Sequence, residues 1–97
     1  MRCSRREARP EVKLETALAM VMSECVRAEA LHPVWPKDPV HQMAILCEES
    51  GEALQAALNF KERKGSKKNM VTEAVHTAAT AIRFLKNVET EGEGGNG

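Results

Sequence analysis

The sequence predicts an all-α fold, and three observations lead there. Apolar residues make up 42% of the chain but aromatics only 3%, with no Tyr. The apolar set is dominated by Ala, Val, Leu and Met, the composition of closely packed helices, with too few β-branched and aromatic residues for a sheet protein. Apolar residues recur at helical spacing in three separate stretches, with proline, glycine and charged residues between them. The expectation is three main helices per chain in an antiparallel bundle, and 97 residues is short enough that oligomerisation should complete the core.

Residues 1–9 read as a flexible basic arm and 10–89 as a single domain. Pro10 suits the first position of a helix, with Glu11 near the positive end of its dipole. Leu14, Leu18, Val21, Cys25 and Ala28 then share one face of a helix expected over about 11–30, and Met22 and Val26 widen that surface. Pro33 and Pro36 end it, because each disfavours helical geometry in the residue before it. Asp38 followed by Pro39 is a strong start signal for a second helix, expected to run to about residue 63. Met43, Leu46, Cys47, Leu54, Ala57 and Leu58 form its apolar arc, so Cys47 reads as a buried small hydrophobe. Glu48, Glu49, Glu52 and Gln55 lie on the other side. Gly51 in mid-helix costs up to about 1 kcal/mol relative to Ala, which close approach of another backbone or a ligand would offset. Gly65 is a candidate stop, and Ser66 or Asn69 the next cap. A third helix is expected over about 69–89, with Val71, Ala74, Val75, Ala78, Ile82 and Leu85 as its apolar face and Glu73, His76, Thr77, Thr80 and Arg83 opposite. Residues 90–97 are Gly-rich and acidic and read as a flexible tail.

Fourteen basic and fourteen acidic residues give zero net charge, so nothing draws the chain generally to nucleic acid or to a membrane surface. No run approaches the roughly 18 apolar residues of a membrane span. Cys3, Cys25 and Cys47 cannot all pair within one chain, which fits a reducing cytoplasm better than a disulfide framework.

The chemistry concentrates at Glu48-Glu49-Ser50-Gly51-Glu52. Glu49 and Glu52 lie about 60° apart around a helix axis, and Glu48 falls one turn before Glu52. Like charges this close repel, and a hard divalent cation would remove the penalty. Ordinary surface charge on an exposed helix face is the plainer reading. On the third helix Glu73 and His76 offer a second acid and a possible ligand three residues apart. Trp35, between two prolines, reads either as a wall for a planar base or as an anchor for its loop. His41 and Gln42 lie about two turns before the acids on the same side, where they either reach a ligand, cap the helix or face solvent. The basic connection around Lys64 could hold phosphates or simply be solvated. Arg83 shares the face of Glu73 and His76, placed for a phosphate or for a carboxylate.

The pattern Glu48-Glu49-x-x-Glu52, then 20 residues, then Glu73-x-x-His76 resembles the MazG-like all-α nucleoside triphosphate pyrophosphohydrolases. That family carries Glu-Glu-x-x-Glu on one helix and Glu-x-x-Asp on the next. The resemblance spans about Asp38 to Leu85 and implies hydrolysis of a nucleoside triphosphate to the monophosphate and pyrophosphate by a homodimer or homotetramer. It implies Glu48, Glu49, Glu52 and Glu73 as catalytic carboxylates, with Glu49, Glu52 and Glu73 holding Mg²⁺ or Mn²⁺. It also puts His76 at a metal-ligand position where the family has Asp. Mg²⁺ prefers oxygen ligands and imidazole suits Mn²⁺ or Zn²⁺ better, so the substitution shifts the expected metal preference. A catalytically weak helical oligomer that binds a nucleotide or a protein partner is the alternative.

Overall fold

A computed structural model of the protein describes residues 13–95, with side chains through Val88. The fold is all-α: α1 spans Leu14–Leu31, α2 Pro39–Lys61 and α3 Lys67–Gly95. The basic arm, Pro10 and Glu11 lie outside the described residues. Among those residues no helix is long and apolar enough to cross a membrane.

Local chemistry sets the boundaries. The Asp38 carboxylate accepts a hydrogen bond from the Val40 N–H at 3.2 Å, and Pro39 occupies the first position of α2, as the sequence suggests. Ser66 is the cap of α3: its hydroxyl accepts from the Asn69 N–H at 2.9 Å, so the helix begins at Lys67 rather than near Asn69. The end of α2 departs from expectation. Arg63, not Gly65, adopts the left-handed conformation, with φ 65°. The Lys64 N–H donates to the Asn59 carbonyl at 2.7 Å and the Arg63 N–H to that of Phe60 at 3.1 Å, which closes α2 as a Schellman motif. Gly65 serves close packing instead, since a Cβ there would lie 3.0 Å from that of Asn59. At its far end α3 runs on past Glu89 to Gly95, where the sequence suggests a flexible tail; no proline and no left-handed glycine interrupts it.

The short turn makes α2 and α3 an antiparallel hairpin. α1 lies along α3, not α2, and runs parallel to it: Glu24 meets His76, Cys25 meets Ala79 and Glu29 meets Lys86. The Cα atoms of α1 and α2 stay more than 8 Å apart. α3 is therefore the central helix.

The faces turned inward are not the large apolar ones. Among the described residues the buried apolar ones are Cys25, Ala56 and Ala79, and Gln42, Thr80 and Arg83 are buried too. On α1, Val21, Cys25 and Ala28 face inward while Leu14 and Leu18 are exposed. Of the arc expected on α2, Met43, Cys47, Leu54 and Leu58 are exposed and Leu46 and Ala57 half-buried, while Gln42, Ile45, Glu49, Ala53 and Ala56 turn inward. On α3, Val71, Ala74 and Leu85 are exposed, whereas the polar face carrying Thr80 and Arg83 is buried. Small residues explain this choice: Ala53, Ala56 and Ala79 let the helix axes approach, and bulkier side chains would hold them apart. No atom lies near the position a Cβ would take at Gly51, so within one chain nothing approaches it.

A left-handed non-glycine residue costs roughly 1 kcal/mol or more. Arg63→Gly should therefore raise the stability of the hairpin by about 0.5–1 kcal/mol, net of the backbone entropy that glycine loses on folding. Urea unfolding at fixed protein concentration checks this, and an unchanged or lower midpoint would contradict it.

Candidate metal centre and adjoining cleft

Two elements of the hairpin supply three ligand groups. Glu49 comes from the inward face of α2, and Glu73 and His76 come from adjacent turns of α3. A carboxylate oxygen from each acid and one imidazole nitrogen all lie within 4.8 Å of one another. Glu49 Oε1 and Glu73 Oε1 are both buried without a hydrogen-bond donor. His76 Nδ1 is 3.6 Å from Glu73 Oε1, an ion-pair approach but too long for a hydrogen bond. Two desolvated acceptors facing an imidazole nitrogen form a donor set that a divalent cation would satisfy. With two oxygens and one nitrogen it suits Mn²⁺ or Zn²⁺ better than Mg²⁺.

A fourth group arrives from α1. Glu24 Oε2 lies 3.5 Å from His76 Nε2, and Arg27 holds both Glu24 oxygens, Nε to Oε1 at 2.8 Å and Nη2 to Oε2 at 2.6 Å. The Arg27 hydrogen bonds, against the opposing effect of burial, hold the Glu24 carboxyl below the usual carboxylate range, with the charges of His76 and Arg27 adding to them. Glu49 is pushed the other way. Burial comes first, the charges of Glu52, Glu73 and Glu24 add to it, and His76 opposes.

Glu24, Glu49 and His76, but not Glu73, line a cleft of about 390 Å³ together with Trp35, Thr80 and Arg83 among others. Trp35 and Pro36, from the loop joining α1 to α2, form one wall. The Arg83 guanidinium stacks on the Trp35 ring at 4.8 Å from its centroid, and its Nη2 donates to the His32 carbonyl at 2.6 Å. Arg83 Nε and Trp35 Nε1 remain buried donors without acceptors.

The structure thus brings Glu49, Glu73, His76, Trp35 and Arg83 together. Glu52 is exposed and outside the ligand cluster, although its charge reaches Glu49. Glu48 is exposed too. Gln42 is buried and donates from Nε2 to the Pro36 carbonyl at 2.7 Å, so its amide pins the loop instead of opening onto the cleft. His41 is exposed and away from the cleft lining, and Lys64 pairs with Glu62 at 3.3 Å beyond the far end of α2. Sequence reasoning missed Glu24 and Arg27. The nearest signal, a carboxylate at the edge of the Val21, Cys25 and Ala28 face, names no partner for Glu24. Comparison with protein-family models, with curated proteins and with solved structures returned no match.

The two shifted carboxyls pull stability in opposite directions with pH. The raised Glu49 contributes stability that is present below the ordinary carboxylate range and lost as pH rises through its raised value. The lowered Glu24 contributes stability present above that range and lost as pH falls through its depressed value. Glu49→Gln should therefore melt a few degrees above the wild type at pH 7, and the advantage should shrink toward about pH 4. Thermal unfolding of both proteins at the two pH values checks the sign, and a lower midpoint at pH 7 would contradict it.

Proposed function

We propose that this chain is a metal-dependent nucleotide pyrophosphohydrolase that hydrolyses a nucleoside triphosphate to the monophosphate and pyrophosphate. The observation that supports the reading most directly is the meeting of Glu49, Glu73 and His76, with two unpaired buried carboxylate oxygens, beside a cleft walled by Trp35 and Arg83. It agrees with the MazG-like pattern of the sequence. Glu49, Glu73 and His76 would hold a divalent cation, which would supply charge neutralisation for the polyphosphate and make the attacking water more acidic.

The remaining steps belong to the chain's own residues. Glu49, Glu73 and His76 hold their donor atoms on two packed helices, which fixes geometry before substrate arrives. Glu48 and Glu52 lie on one flank of Glu49, about 40° apart around the helix, and their solvated carboxylates suit accepting the proton of the attacking water. Attack at the α-phosphorus breaks its bond to the bridging oxygen of the β-phosphate, and pyrophosphate leaves toward solvent. The nucleoside lies against Trp35 and Pro36, with Arg83 contributing positive charge to that end of the cleft.

The assembly we propose is a homodimer or homotetramer. Leu14, Leu18, Met22 and Val26 leave an exposed apolar stripe on α1, and Val40, Met43, Leu54 and Leu58 another on α2. Such a surface is large for a monomer and suits a second copy. Sedimentation at micromolar concentration should show a dimer or larger species. A fully helical monomer would overturn this.

His76 favours the second reading, a catalytically weak oligomer that binds a nucleotide or a protein partner, because imidazole replaces an oxygen donor. Pyrophosphate release from a panel of triphosphates should be supported by Mn²⁺ better than by Mg²⁺. His76→Asp should raise the Mg²⁺-supported rate at least tenfold by completing an all-oxygen site. No release from any triphosphate with either metal, in both proteins, would leave binding without turnover as the function.

A further inference from the structure

His76 has a carboxylate at each ring nitrogen, and the two carboxylates differ. Glu24 is held by both arms of the Arg27 guanidinium, and Oε2 faces His76 Nε2 at 3.5 Å. Glu73 Oε1 faces Nδ1 at 3.6 Å and has no donor. A neutral imidazole carries one N–H, so one contact pairs a donor with an acceptor while the other sets two lone pairs against each other. Arg27 keeps Glu24 charged and fixed in direction, which makes it the better acceptor, and the same guanidinium makes Glu24 a poor cation ligand. Glu73 and Glu49 carry the unpaired oxygens, so the cation belongs on the Nδ1 side.

We propose that Glu24 is the positioning residue of this centre: held by Arg27, it faces His76 Nε2 at 3.5 Å, a charge contact rather than a hydrogen bond, and by favouring the proton on that nitrogen it presents the Nδ1 lone pair to the metal shared with Glu49 and Glu73. This rests on the metal-centre reading above and adds a third helix to it. A ligating histidine whose second nitrogen donates to a carboxylate is oriented and made more basic, and loss of such a partner costs about 10- to 100-fold in metal affinity. The relay runs from Arg27 through Glu24 to His76 along two parallel helices, and only His76 touches the metal.

The test uses the full chain labelled with ¹⁵N at histidine, with His76 assigned from H76Q, and Mn²⁺ alone as the calorimetric probe. In the metal-free wild type at pH 8 the His76 proton should reside on Nε2. E24A should mix the tautomers and weaken Mn²⁺ binding about 10- to 100-fold, and R27Q should move both readouts the same way by less. E62Q, at the remote end of α2, should change neither. If E24A loses helicity by circular dichroism, E24M, of similar length but with no carboxylate or amide oxygen to accept the proton, gives the same readouts in a folded protein. An unchanged tautomer, or Mn²⁺ affinity within twofold of the wild type, in a folded Glu24 variant overturns the proposal. A wild type with the Nε2 tautomer that binds no Mn²⁺ overturns the metal centre and the presentation of Nδ1 to it, and leaves only the Glu24 to His76 contact standing.

Discussion

The rest of the structure depends on α3 lying between the other two helices with its polar stripe inward. Glu73, His76, Thr80 and Arg83 are spaced at i, i+3, i+7 and i+10, so they form one stripe. A polar stripe can be buried only if its neighbours satisfy it. The Thr77 and Thr80 hydroxyls donate back to the Glu73 and His76 carbonyls at 2.9 and 3.0 Å, which removes both from the account. α1 supplies Glu24 to His76, and the loop after α1 supplies the His32 carbonyl and the Trp35 ring to Arg83. Each neighbouring segment is thus placed by what the central stripe requires.

Each end of the stripe keeps unpaired buried atoms, but of opposite kind: the donors Arg83 Nε and Trp35 Nε1 at one end, and carboxylate oxygens at the other. At the Arg83 end, an aromatic face and a carbonyl engage the guanidinium. At the Glu73 end, α2 adds Glu49 beside an acid already present, and two oxygens are left without donors. Burial and like charge there raise the proton affinity of Glu49, while a few ångströms away Arg27 lowers that of Glu24. The two opposed shifts have ordinary local causes, an Arg27 hydrogen bond at Glu24 and burial at Glu49.

The helices and their joints were legible because their causes are local. Asp38-Pro39, the prolines of the first connection and Ser66 each act within a turn of where they sit. The meeting of Glu49 with Glu73 and His76 matches the ligand positions that the MazG-like resemblance implies, while Glu52, which the resemblance also implies, stays outside the cluster. Which face turns inward was not legible. Periodicity says that Met43, Cys47, Leu54 and Leu58 share a side, but not that Ala53 and Ala56 allow a closer approach and therefore take the inside. Glu24 was out of reach for a different reason: its partner His76 is distant in sequence, and no local pattern ties α1 to α3 rather than to α2. The left-handed position fell on Arg63 instead of Gly65 because the hydrogen bonds to Asn59 and Phe60 set where α2 ends, and glycine was needed two residues on for contact with Asn59.

The same small residues account for both the site and the exposed apolar surface. Ala28, Ala53, Ala56 and Ala79 bring three backbones close enough for Glu24, Glu49, Glu73 and His76 to meet from three helices. Leu or Met at those positions would hold the helix axes further apart. Once alanine occupies the inner faces, most of the chain's larger apolar residues are left for the outer ones. Leu14, Leu18 and Met22 on α1 and Leu54 on α2 are exposed as a direct counterpart of that choice. Bulk moved to the centre would restore an ordinary hydrophobic core, and it would separate the carboxylates from the imidazole that faces them.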